Sequence, residues 1–212
     1  MTTRWLRGIR PCALVGMIAL SPSVMRAQIS FSDTTGLPPA GFGTLRQGDI
    51  SIRLQGSAIA LQMYPLHETI IRLLAPDTYR SLHRLAERHM DEIQDAVQMY
   101  ALGDPAIFVV TFFGREARAR FDPDELTITS QNRLFRPVSI IPISPSWTRH
   151  ELERRETATA IYVYESGIRL LEPLAVEYKG ARVNQWESLL QNIEEELARV
   201  RTRAGNPDSG GS

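Results

Sequence analysis

Ala106-Ile-Phe-Val-Val-Thr-Phe-Phe113 holds β-branched and aromatic side chains and no charge. That composition predicts a strand buried on both faces, and the rest of the chain is read outward from it. On its N-terminal side, Gly103-Asp104-Pro105 closes a segment with a different period. Tyr79, Leu82, Ala86, His89, Ile93, Ala96 and Tyr100 recur at steps of three and four, one apolar stripe on a long helix entered at Ala75-Pro76-Asp77. Before it, residues 49–54 and 58–63 alternate apolar and polar around Gln55-Gly56-Ser57, the pattern of a β-hairpin.

Beyond Phe113 the chain reads mostly as sheet. Short runs at 117–121, 126–129, 135–141, 157–164 and 174–178 are divided by Gly114, Asp122-Pro123, Gln131-Asn132, Pro142, Pro145 and Pro173. Several short strands with turn residues between them predict an antiparallel β-sandwich of immunoglobulin-like type. Residues 146–153 are expected to form a short helix capped by Ser146. A C-terminal helix is expected from Asn184, with Glu187 in the capping-box position. Trp186, Leu190, Ile193, Leu197 and Val200 make its apolar face, and Glu195 and Arg199 stand one turn apart. The fold class is therefore α+β, a sandwich with an inserted long helix and a C-terminal helix that packs on its own chain. Pairing of residues 183–204 with a second chain is the competing use of that helix.

The N-terminus carries a different kind of information. Arg4, Arg7 and Arg10 precede the apolar run from Cys12 to Leu20, and Ser21-Pro22 follows. A basic region, a short apolar core and a helix breaker in that order predict a bacterial-type secretory signal peptide over residues 1–27, cleaved near Ala27. The apolar run is well short of the roughly 20 residues that span a bilayer, so no stable membrane span is expected after cleavage. Cys12 precedes most of the apolar run, the wrong geometry for a lipid-modified cysteine. Residues 28–47, with Gly36-Leu-Pro-Pro-Ala-Gly41, read as an extended leader or tether, residues 48–204 as one domain, and residues 205–212 as a disordered tail.

Cleavage would leave 185 residues (212 − 27) with 20 basic and 24 acidic side chains, a net charge of −4, and no cysteine. Disulfides and thiol nucleophiles are then excluded. The balanced charge argues against nucleic acid, which is bound through concentrated basic surface. Periplasmic or secreted localisation follows from the leader.

The residues that could carry chemistry are few. His67-Glu68 and His150-Glu151 each begin like a zinc-protease motif, but Ile71 and Arg154 stand where the second histidine belongs. His83 and His89 are six residues apart and do not share a helix face. Asp122, Asp124 and Glu125 gather carboxylates near a Pro, which suits a turn as well as a calcium loop. Glu165-Ser166-Gly167 lacks the glycine of a nucleophile elbow because Tyr164 occupies its place. No phosphate-binding glycine motif is present and no cofactor is expected. Trp147 and Tyr64 are the aromatic candidates for a binding surface, whereas Trp186 belongs to a helix stripe and to the core.

These observations lead to an exported, non-catalytic interaction module for an envelope protein or cell-surface component. The alternative is a hydrolase or metal-dependent enzyme assembled in three dimensions from His67, His89, His150, Asp122 and Asp124.

Overall fold

The structure is a computed structural model that describes residues 36–205. The expected signal peptide with Ala27 and Cys12, the leader up to residue 35 and the tail beyond Gly205 lie outside the described residues. In chain order the elements are β1 (Ile52–Gln55), β2 (Ile59–Pro65), α1 (Glu68–Ile71), α2 (Pro76–Arg88), α3 (Met90–Met99), β3 (Pro105–Gly114) and β4 (Ala119–Arg120). They continue with β5 (Thr127–Ser130), β6 (Arg133–Phe135), β7 (Pro137–Pro142), β8 (Glu151–Leu152), β9 (Thr157–Ser166), β10 (Leu174–Tyr178), β11 (Ala181–Val183) and α4 (Gln185–Gly205). Three 3-10 turns cover Gln47–Ile50, Pro123–Glu125 and Pro145–Arg149.

The uncharged run does form the central strand. β3 pairs antiparallel with β2 on one side and β9 on the other, in a sheet ordered β1-β2-β3-β9-β7. Phe108, Val109, Val110 and Phe112 are each 0% exposed, because alternate side chains face opposite ways and both faces are covered. A second antiparallel sheet runs β11-β10-β5-β6, and β4 pairs with β8. Phe112 meets Tyr178 of β10 at 5.4 Å between ring centroids. The hydroxyls of Tyr162 and Tyr164 on β9 donate to the carbonyls of Pro123 and Leu126, at 3.1 and 3.3 Å. Buried tyrosines need such acceptors, since an unpaired hydroxyl in the core is costly.

The helices complete the core. Leu82 and Ala86 of α2 and Ile93 and Val97 of α3 join the same buried cluster as Ile107 and Val109. α4 lies against the 47–50 turn, β1 and β10. Trp186 is 0% exposed and donates its indole N–H to Leu170 O at 3.1 Å. The Gln185 side-chain carbonyl accepts from Arg53 N at 2.8 Å, satisfying an amide on the edge strand β1. Glu195 and Arg199 pair at 2.9 Å.

Several expectations are corrected. The long helix is two helices, α2 and α3, separated at His89, whose φ of −110° and ψ of 17° leave the helical region. No glycine or proline marks that break. The run 135–141 is two strands in different sheets, β6 and β7, parted at Arg136. The 117–121 strand shrinks to the two residues of β4 because Arg118 has a φ of +55°. The cap expected at Ser146 is at Ser144, and the expected helix is a 3-10 turn that ends at His150 and gives way to β8. Instead Ser146 donates to Thr157 O at 2.5 Å. The strand β11 and the helix α1 were not anticipated.

The tether is also corrected over its described part. Leu45 N donates to Leu73 O at 3.1 Å and Leu45 O accepts from Ala75 N at 2.8 Å. Gly43 permits this, since a Cβ there would fall 2.2 Å from the Leu73 carbonyl. Residues 38–45 are thus a strap bound to the domain.

Candidate functional site

The sequence candidates do not converge. Among the described residues no group of three His, Cys, Asp or Glu side chains could hold a metal ion. Asp122 caps the 3-10 turn by accepting from Asp124 N at 3.1 Å, the turn role rather than the calcium role, and Asp124 is solvent-exposed. His150 is exposed, holds a left-handed backbone (φ +49°) and lies beside Phe121. His89 sits in the break between α2 and α3 with Nδ1 3.5 Å from Glu92. Trp147, expected at a surface, is only 4% exposed and packs on Phe121 and Phe112 at 5.2 and 5.8 Å. Its ring fills the gap between β3 and the β4–β8 pair, so burial of a large apolar area fixes its place. Tyr64 is likewise buried in β2, and that burial pushes its hydroxyl up to about 12.

His67 is the exception. It precedes α1 and its Nδ1 accepts from Thr69 N at 3.2 Å. A ring nitrogen that accepts carries no proton, which leaves the neutral ring with its proton on Nε2. Burial holds the His67 pKa below its ordinary 6.5, against the opposing pull of Asp104 and Glu68. The imidazole is therefore a neutral hydrogen-bond donor at pH 7.

This ring lines a cavity of about 290 Å³, at the small end of the range for ligand pockets. Pro105, Ala106, Ile168, Leu170 and Leu171 supply its apolar wall, and Thr69, Asp104, Arg169 and Glu172 its remaining polar groups. The two sides come from distant parts of the chain: the turn entering β3 and the loop between β9 and β10. Asp104 N donates to Ser166 Oγ at 2.9 Å, which ties these segments together. Sequence reasoning offers His67 as the start of a failed zinc-protease motif and as one contributor to a site assembled in three dimensions, and gives no weight to Asp104 or to residues 168–172. No local pattern marks them, because only tertiary packing brings them to one mouth.

Two buried carboxylates provide the contrast. Glu68, 4% exposed, receives Arg72 Nε at 2.5 Å, His83 Nδ1 at 2.8 Å and the Tyr79 hydroxyl at 3.3 Å. A carboxylate that orients a histidine resembles the base half of a catalytic triad. However, the other His83 nitrogen faces Glu87 at 3.4 Å, and the ring lies under Tyr79 at 5.4 Å. Both His83 nitrogens thus face carboxylates of the chain itself, and the cluster joins α1 to α2.

Glu196, 0% exposed, accepts from Thr44 N and Thr44 Oγ1 at 2.9 Å and from Arg203 at 2.8 Å. Arg203 also donates to Phe42 O at 2.7 Å. Burial pushes the Glu196 carboxyl up, but the hydrogen bonds from Arg203 and Thr44 together outweigh it and hold the pKa below 4.5. The C-terminal helix thereby latches the N-terminal strap. No protein-family model, curated protein or solved structure matches the chain.

Proposed function

We propose that the protein is a non-catalytic binding module that works outside a bacterial cytoplasm after losing residues 1–27, and that it recognises an envelope component through the His67 cavity. The fold we assign it is a two-sheet sandwich of immunoglobulin-like type. The Phe112–Tyr178 contact and the two tyrosine hydroxyls crossing from β9 toward β5 support the stacking of its sheets.

One observation carries the binding function. At the His67 cavity an apolar wall meets polar side chains that no intramolecular bond fully engages. Among the described residues Arg169 has no carboxylate within ion-pair distance, and the Asp104 carboxylate has no hydrogen-bond or ion-pair partner. Groups of this kind around a small apolar hollow are the usual anatomy of a recognition site. The Glu68 carboxylate and both His83 nitrogens face partners within the chain, and the Trp147 cluster lacks exposure.

The test is photo-crosslinking in living cells from position 171, since Leu171 stands at the cavity wall and is 41% exposed. Capture of an envelope component from this position, but not from the exposed Lys179 beyond the far end of β10, is the expected outcome. Equal capture from both positions, or from 179 alone, rules out the cavity as the recognition site. An intact mass that retains residues 1–27 in a cytosolic fraction would remove the exported part of the proposal.

A further inference from the structure

The polar lining of the His67 cavity selects among ligand classes. Arg169 is its cation, Asp104 and Glu172 are its anions, and the His67 Nε2–H is a neutral donor. Glu172 is partly engaged, since its Oε2 accepts from Gln131 at 2.6 Å. A purely anionic ligand would meet two carboxylates, and a purely cationic one would meet the guanidinium. A wholly apolar ligand would strip water from all of them without replacing its hydrogen bonds, which is costly. A ligand with a positive end, a negative end and an apolar body leaves each group with a partner.

We infer that the cavity takes an apolar amino-acid residue bearing its own charged ends, its ammonium at Asp104, its carboxylate at Arg169 and His67, and its side chain against Ile168, Leu170 and Pro105. This deepens the binding function proposed above and rests on it. The small volume, about 290 Å³, limits the occupant to one such residue, and because a peptide terminus carries only one of the two charges, that occupant is a free amino acid.

The experiment titrates the purified protein with leucine, leucinamide, N-acetyl-leucine and N-acetyl-leucinamide, following amide and imidazole resonances by NMR. Leucine is expected to bind about tenfold or more tightly than either singly blocked probe, because each loses one charge-assisted contact. Arg169→Gln should erase the advantage of leucine over leucinamide, and Asp104→Asn its advantage over N-acetyl-leucine. Both side chains are exposed, so the fold should survive, and unchanged amide spectra outside the cavity will show it. The dipeptides Leu-Gly and Gly-Leu, in which one charged end of the leucine residue is a peptide bond, should bind as weakly as the singly blocked probes, and binding of either within about threefold of leucine overturns the free amino acid as the occupant.

Equal or tighter binding of any blocked probe overturns the inference, because the paired charges are then not what the cavity reads. Failure of all the probes overturns it too. If position 171 still crosslinks an envelope component in that case, the ligand class alone is wrong. If crosslinking fails as well, the module's use of this cavity is wrong.

Discussion

The Glu68 cluster and the His67 cavity begin at adjacent residues and behave in opposite ways. Glu68 points into the protein, where Arg72, Tyr79 and His83 surround its carboxylate. His67 uses one ring nitrogen for Thr69 N and leaves the other for the cavity. One residue step along the chain separates a polar group wholly committed to the fold from one partly free for a ligand. The lesson is that the chemical type of a residue does not disclose its role; the count of its atoms already bonded does. By that criterion Arg169 and Asp104 belong with His67, whereas Glu196 stands between the two groups, with Oε1 committed to Thr44 and Arg203 and, among the described residues, Oε2 facing only Arg199 at 3.6 Å.

The most severe way to break this contrast is to remove the committed carboxylate. Glu68→Ala leaves the Arg72 guanidinium, 8% exposed, without its charge partner. Breaking a buried pair from one side typically costs about 3–5 kcal/mol. Urea unfolding should show a loss in that range, and a loss below about 1 kcal/mol would place Glu68 with the uncommitted groups.

Glu196 offers the same test with pH as the lever. Its folded pKa lies below the ordinary 4.5, so the unfolded chain takes up the proton first as pH falls. The stability it contributes is present above about pH 4.5 and is lost as pH falls through the lower folded value. Glu196→Gln should cost about 1–3 kcal/mol at pH 7 and flatten the acid limb of the Tm profile. Hydrogen exchange at residues 42–45 should rise in the same variant, because the strap loses its attachment to α4.

How much of this was legible depended on whether the information was local. The 106–113 run disclosed the central strand because its composition reports double-sided burial directly, and the 184–204 stripe disclosed α4 for a similar reason. His89 hid the break between α2 and α3, since its apolar spacing continues across it and no breaker residue interrupts. Arg136 hid the passage from one sheet to the other, because β6 and β7 are contiguous in sequence and differ only in their partners. Trp147 was misread for want of any periodic context, its neighbours Phe112 and Phe121 being brought to it by pairing of β4 with β8. The cavity was the least legible, because Asp104 and Arg169 lie 65 positions apart (169 − 104) and share no pattern.

Substitutions at the cavity should do least to the fold, and that sharpens the contrast from its other side. Asparagine is a good helix cap, so His67→Asn should keep the bond from Thr69 N and change stability by no more than about 0.5 kcal/mol. It removes the Nε2–H, and ligand capture should fall although the fold does not.

Asp104→Asn carries the smallest effect, a shift in a titration. Asp104 raises the His67 pKa against the larger lowering by burial; without that charge the folded midpoint moves further down from 6.5. The unfolded ring still takes up its proton near 6.5, so the pH range in which the unfolded state binds more protons widens. Stability will then decline slightly more as pH falls below about 6.5 than in the parent chain. Imidazole NMR resolves the midpoint directly. A midpoint that moves upward, or does not move, would mean that Asp104 does not share the mouth of the cavity with His67, and the complementary charges assigned to that mouth would have to be withdrawn.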